Sequence, residues 1–190
     1  MTSKLPETAA AGRFPATLSP KFLLMSRTLG YGVGLLLPAL IALVAAAVYG
    51  EYWALLLPVP FAVLIGIAAL FRPRAFTIDD RYVSVERSIG PVRFPLADIR
   101  IVRAPPVWPQ SKPVSMLATR GLFGTYGWFW NRDWGTHRIY LTDPDAAVEL
   151  ERRDANRVVM TPADRPKFLR TIEAASRRAG LEIEIERRGA

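Results

Sequence analysis

The chain contains no cysteine, and its only histidine is His137. Without thiols there is no disulfide, no thiolate metal site and no cysteine nucleophile, an absence that also fits a reducing compartment. A single imidazole leaves too few ligands for the usual zinc sites and too few partners for Ser–His–acid chemistry. Acids are the minority charge, 17 Asp and Glu against 25 Lys and Arg in 190 residues. That surplus does not mark a nucleic-acid binder. Bases and acids alternate, as in Asp79-Asp80-Arg81 and Glu151-Arg152-Arg153-Asp154, and no segment offers the clean basic face that a phosphate backbone selects. Paired acids such as Asp143 and Asp145 read as turn formers. His137, beside Arg138, reads as an ordinary strand residue. No catalytic set, cofactor or metal site is expected, so the chain reads as a non-enzyme.

What the sequence has in quantity is apolar residues, 51% of the whole, concentrated in two runs without charge. Residues 28–50 read TLGYGVGLLLPALIALVAAAVYG, and after the lone acid Glu51, residues 52–71 read YWALLLPVPFAVLIGIAALF. Twenty helical residues cover about 30 Å, the thickness of a bilayer's hydrocarbon core. Each run is therefore expected to cross a membrane, the pair forming a helical hairpin. Pro38, Pro58 and Pro60 are tolerated in spans, although Pro58 and Pro60 together should kink or loosen the second. Tyr49, Tyr52 and Trp53 cluster at the connecting turn, where amphipathic rings favour the interface. Lys21 and Arg27 precede the first run, Arg72 and Arg74 follow the second, and the turn has no base. By the positive-inside rule both termini face the cytoplasm. The leader is too long for a cleaved signal peptide, and a second apolar run follows at once.

Residues 1–27 are expected to form a disordered N-terminal segment with an interfacial lead-in at KFLLMSR (21–27), the hairpin 28–71, and a β-rich module 72–190. After Arg74 the pattern turns to alternation, read as about seven short strands. Turns are expected at Asp79-Asp80, Gly90-Pro91 and Asp143-Pro144-Asp145. A helix over about 162–179 follows, capped by Thr161, with Pro162 at its first position, Asp164 in its first turn and Gly180 past its end. LEIEIER (181–187) reads as a last strand or an ordered tail.

Several motifs in this module occur together: GLFGTYGWFW followed by NRDWGTHRIYLTD, then AVELE, then RVVMTPADRPKFLRTI, preceded by IDDRYV and FPLADI. In combination they resemble the membrane-anchored bacterial pleckstrin-homology-like (bPH) family, over roughly residues 74–179. The resemblance implies a bent antiparallel β-sheet or barrel of seven strands capped by a C-terminal helix, and it implies fold more than function. Eukaryotic lipid-binding relatives gather bases around the first hairpin. Here that turn carries Asp79 and Asp80, which argues against inositide recognition.

Two stretches are candidate surfaces. GLFGTYGWFW (121–130) is not a nucleotide loop, since it lacks the glycine spacing and the following Lys-Ser/Thr. Its glycines suit bends or close backbone approach in a curved sheet, with Phe123, Tyr126, Phe129 and Trp130 in the core. The alternative leaves Trp128, Trp130 and Trp134 outside, against membrane or a partner. RAPPVWPQSKP (103–113) holds four prolines and is a stiff loop that presents Trp108 with Lys112. Arg72 and Arg74 lie where anionic lipid would attract them.

The function expected is a non-enzymatic binding or assembly module of the bacterial inner membrane. A two-span tether would hold a PH-like domain at the cytoplasmic face, with membrane lipids and a membrane protein or a second copy as partners. The alternative is an accessory subunit of a larger membrane enzyme or transporter, its hairpin packing through Gly30/Gly34 and Gly66/Ala69.

Overall fold

The computed structural model describes residues 12–187. Two helices long and apolar enough to cross a bilayer, Pro20–Tyr49 and Tyr52–Phe71, stand beside a two-sheet module. The first starts well before the uncharged run, so KFLLMSR is its first turns rather than a separate lead-in. Over Ser26–Leu36 it widens to i→i+5 bonding, ending with the Leu37 N–H on the Gly32 carbonyl. This stretch contains Gly30, Gly32 and Gly34, which bring no side chains to pack a tighter pitch. The second helix opens with a 3-10 turn at Tyr52–Leu56 and becomes α-helical from Pro58. Pro58 and Pro60 sit in the first turn of that α segment, where an N–H has no intrahelical partner to lose. The loosening expected there is confined to the turn before them. Gly50, at φ +67, closes the first helix.

The smaller sheet has the order β1-β2-β3-β4, with β1 at Gly12–Pro15, β2 at Ala75–Ile78, β3 at Tyr82–Glu86 and β4 at Val92–Pro95. The β1 strand corrects the expectation of disorder before the first helix. It pairs antiparallel with β2, buries Phe14 edge-on against Phe168 at 5.2 Å and joins Arg13 to Glu86. A four-residue strand needs no periodicity of its own when its partner supplies the ladder. The disorder expected for residues 1–11 lies outside the described residues.

The larger sheet contains β5 (Ile99–Ala104), β6 (Val114–Gly121), β7 (Gly124–Asn131), β8 (Gly135–Leu141), β9 (Val148–Arg152), β10 (Arg157–Met160) and β11 (Glu184–Arg187). Its order is β11-β5-β9-β10-β8-β7-β6. A single antiparallel sheet of about seven strands is thus corrected to two sheets with eleven strands among the described residues. Two of the pairs, β10 with β8 and β11 with β5, are parallel. The helix between β10 and β11 carries the chain back across the module, so that β11 enters the sheet parallel to β5.

That helix runs Arg165–Arg178 and buries Phe168, Leu169, Ile172 and Ala175 against both sheets. Its cap is Asp164, whose carboxylate accepts the Lys167 N–H at 2.9 Å. Thr161 is not the cap: its hydroxyl is buried against Thr142, accepting that residue's N–H at 2.9 Å. The turns at Asp79-Asp80, Gly90-Pro91 and Asp143-Pro144-Asp145 are where the sequence puts them. Asp79 accepts the N–H groups of Arg81 and Tyr82, and Asp143 that of Asp145.

Candidate functional site

The Gly-Leu-Phe-Gly segment closes the β6–β7 hairpin, and it is also the foot on which the module meets the helices. Ser26 of the first helix is almost wholly buried there. Its hydroxyl hydrogen points to the carbonyls of Phe22 and Gly121, and its oxygen accepts the Phe123 N–H at 2.7 Å. Leu122 lies so close to Gly30 that a Cβ at that position would stand 2.8 Å from its Cδ2. The Arg72 guanidinium sits 5.5 Å from the centre of the Phe123 ring. From within β7, the Tyr126 hydroxyl donates to the Ala68 carbonyl of the second helix. Burial pushes that phenol up to about 12, so it stays a neutral donor. The pair Gly30/Gly34, expected to pack against another protein, is used inside the chain: Gly30 faces Leu122 and Gly34 faces Ile65.

Farther along the same face of β7 and β8, β4 ends the smaller sheet without a strand partner among the described residues, and a seam opens between it and the larger sheet. At the helix end it forms a cavity of about 470 Å³. Leu64, Ile67 and Phe71 of the second helix form one wall, and Leu117 and Trp128 another, with Arg87 and Arg138 between them. A second cavity of about 250 Å³ continues from it, sharing Trp128 and Arg138 and adding Arg93, Arg152 and Arg157. Among the described residues the two linings hold five arginines and no Asp or Glu. Arg152 pairs with Asp98 and Asp154, and Arg157 with Glu149. Among the described residues Arg87, Arg93 and Arg138 make no ion pair with a carboxylate. They rest on rings instead: Arg138 lies 3.9 Å from the Trp128 centroid, Arg87 5.6 Å from Phe71 and Arg93 5.9 Å from Tyr82. Burial pushes the Tyr140 phenol in this seam up, against the pull of Arg138 and Arg87.

The opposite face of β8 is closed by the proline-rich loop between β5 and β6. Asp133 ties that loop down by accepting both the N–H and the hydroxyl of Ser111 at 2.9 Å, bonds that hold its carboxyl below the ordinary value. Trp108 stacks on Trp134 at 6.5 Å, and Trp134 meets the His137 ring edge-on at 5.2 Å. His137 is therefore buried rather than solvated. A carbonyl only accepts, so Nδ1 carries the hydrogen it gives to Gly135 at 2.9 Å. Burial, with Arg157 nearby, lowers its pKa and keeps the ring neutral. No group of His, Asp and Glu suited to a metal occurs among the described residues.

Sequence reasoning missed one cluster. Glu149 and Glu151 alternate to one face of β9, a pattern that reads as a solvated face, yet Glu149 is fully buried. Arg103 of β5 reaches both, at 3.1 and 2.6 Å, and Glu186 of β11 at 3.1 Å; Arg157 adds a further bond to Glu149. The Val107 N–H of the proline-rich loop also donates to Glu149. The loop and β11 cover this face, and neither is adjacent to β9 in sequence.

Of the residues singled out from the sequence, Trp128 lines the seam and Arg72 lies at the foot. Arg74 and Lys112 are exposed, and Trp108 is partly so above its stack. Phe123, Tyr126 and Phe129 are core, as expected. Trp130 is not: it is 48% exposed, because it shares the alternating face of Trp128 near the open end of the hairpin. The large exposed apolar residues Val114, Met116 and Leu117 on the free edge of β6 were not singled out.

A two-sheet β module closed by a C-terminal helix is the architecture of a PH-type domain, generally a non-catalytic binding module. The chain belongs to the bacterial PH domain family, whose model matches residues 74–176, just over half of its length. No curated protein and no solved structure matches it.

Proposed function

We propose that this chain is a membrane-anchored, non-enzymatic binding module, with the two apolar helices as its anchor and the PH domain at the cytoplasmic face of a bacterial inner membrane. The observation that carries the reading is the exposure of the helices. Leu36, Val48 and Leu56 are 68%, 66% and 69% exposed, and apolar surface on that scale costs about 25 cal/mol per Å² in water. Lipid removes the cost. The bases Lys21, Arg27, Arg72 and Arg74 all lie at the module's end of the helices, which supports a cytoplasmic module. The foot at Ser26, Tyr126 and Phe123 holds the domain against the anchor rather than on a loose linker, so its surfaces face lipid or a neighbour at high effective concentration. Trp108 with Lys112, and Trp130, are the open contacts of this kind. Alkaline carbonate should leave the chain in the membrane pellet, and protease added to intact spheroplasts should spare the module. Release into the supernatant, or digestion from outside, defeats the reading.

A second reading, an accessory subunit of a larger membrane complex, draws support from Gly66, which has open space where a Cβ would stand, leaving a smooth strip on the outer face of the second helix. Stoichiometric co-purification with a larger membrane protein, lost on Gly66→Leu, would favour it.

A further inference from the structure

We propose that the seam between β4, β7–β8 and the second helix is a binding site for one anionic phospholipid of the inner leaflet. Its chain would lie along Leu64, Ile67 and Leu117 and its phosphate among Arg87, Arg138 and Arg93. The proposal rests on the anchoring reading above. If Tyr52–Phe71 crosses the bilayer, all 20 of its residues are needed for about 30 Å of hydrocarbon. Leu64–Phe71 then lie in the inner leaflet, and the aliphatic end of the cavity they line opens at lipid depth. Leu117, 78% exposed on the edge of β6, lines the same cavity.

The chemistry changes along the seam as it does along an amphiphile. The wall given by the helix is aliphatic. Beyond Phe71 the seam becomes cationic, with Arg87 and Arg138 at the boundary and Arg93 past it. These three guanidiniums have no carboxylate partner among the described residues and rest on aromatic rings; Arg87 gives its Nε–H to the Gly90 carbonyl at 3.3 Å and Arg138 lies beside the Tyr140 hydroxyl, so a phosphate would be met by their terminal N–H groups. The Trp128 ring forms part of both cavities and suits the level where chain gives way to headgroup. This is a different place from the β2–β3 turn, where Asp79 binds backbone and Asp80 pairs with Arg178; carboxylates there repel the ligand that the seam attracts.

The test uses the full chain, purified in mild detergent. Native mass spectrometry would follow addition of phosphatidylglycerol and phosphatidylcholine with matched chains, in equal amounts. Phosphatidylglycerol should be retained at least tenfold over phosphatidylcholine, and the preference should vanish in R87Q/R138Q but persist in R87K/R138K. Phosphatidylglycerol brominated on its chains should quench fluorescence in the wild type and much less in W128F. Thermal midpoints within a few degrees of wild type certify that each variant is folded. Equal retention of the two lipids, or quenching unchanged in W128F, overturns the proposal. Displacement of phosphatidylglycerol by millimolar glycerol 3-phosphate also overturns it, by assigning the site to a soluble phosphate. A chain that resists carbonate yet shows no preference loses the site and keeps the anchor; one that carbonate strips loses both.

Discussion

Gly127 and Gly121 both have φ in the region that side chains avoid, +125 and +93, but they differ in what a Cβ would meet. At Gly127 it would strike the Leu117 carbonyl and Ala118, backbone that the β6–β7 ladder holds in place. At Gly121 it would meet the end of Met25, a flexible side chain that can move aside. Gly127→Ala should therefore lower stability by about 2–4 kcal/mol and Gly121→Ala by about 1 kcal/mol, a contrast readable from thermal midpoints in detergent. Glu151 gives a pH-dependent counterpart. Burial opposes its charged form, but hydrogen bonds from Arg103 and Arg100 outweigh this and hold its pKa below the ordinary 4.5. Its contribution to stability is then complete above that value and is lost as pH falls through the lower folded one. Stability measured from pH 6 down to pH 3 should fall more steeply in wild type than in Glu151→Gln.

Two contacts between elements separate what holds the module together from what holds it to the helices. β1 is short, yet Phe14 fills a space beside Phe168, and Phe14→Ala should cost about 3–5 kcal/mol in denaturant-monitored unfolding of the module. At the foot, Ser26→Ala leaves the buried Phe123 N–H without its acceptor, costing about 1–3 kcal/mol. The change should raise amide exchange at 121–124 while leaving β9 and β10 protected, since the hydrogen bonds of Ser26 go to Phe22, Gly121 and Phe123 and not to those strands. The charged face of β5, β9 and β11 behaves differently from a surface ion pair. Arg103→Met would remove one of the two guanidiniums that bond the buried Glu149, and the expected loss is about 3–5 kcal/mol. Periodicity was enough to find β8, β9 and the C-terminal helix. It was not enough for β1, whose ladder partner lies beyond both long helices, nor for the cap at Asp164, because only the folded molecule engages Thr161 with Thr142.

At the scale of the molecule, the absence of cysteine makes the arrangement across a membrane directly measurable. Glu51→Cys sits in the turn between the helices and Ser88→Cys in the exposed β3–β4 turn. A membrane-impermeant maleimide applied to intact spheroplasts should label the first at once and the second only after permeabilisation; the reverse order would invert the orientation.

The sequence alone determined the elements whose physics is local: two uncharged runs of bilayer length, turns built by Asp, Gly and Pro, and an amphipathic C-terminal helix. It also removed thiol and multi-histidine chemistry, because residues that are missing cannot be supplied by folding. The tertiary structure decided what depends on neighbours distant in the chain. It made Gly-Leu-Phe-Gly a foot on Ser26 and Gly30, buried Glu149 beneath a loop and the last strand, and gathered Arg87 and Arg138 beside Leu64 and Phe71, with Arg93 in the adjoining cavity. Backbone preference and hydrophobic run length are written within a few consecutive residues; a seam between two sheets and a helix comes into being only when all three have packed.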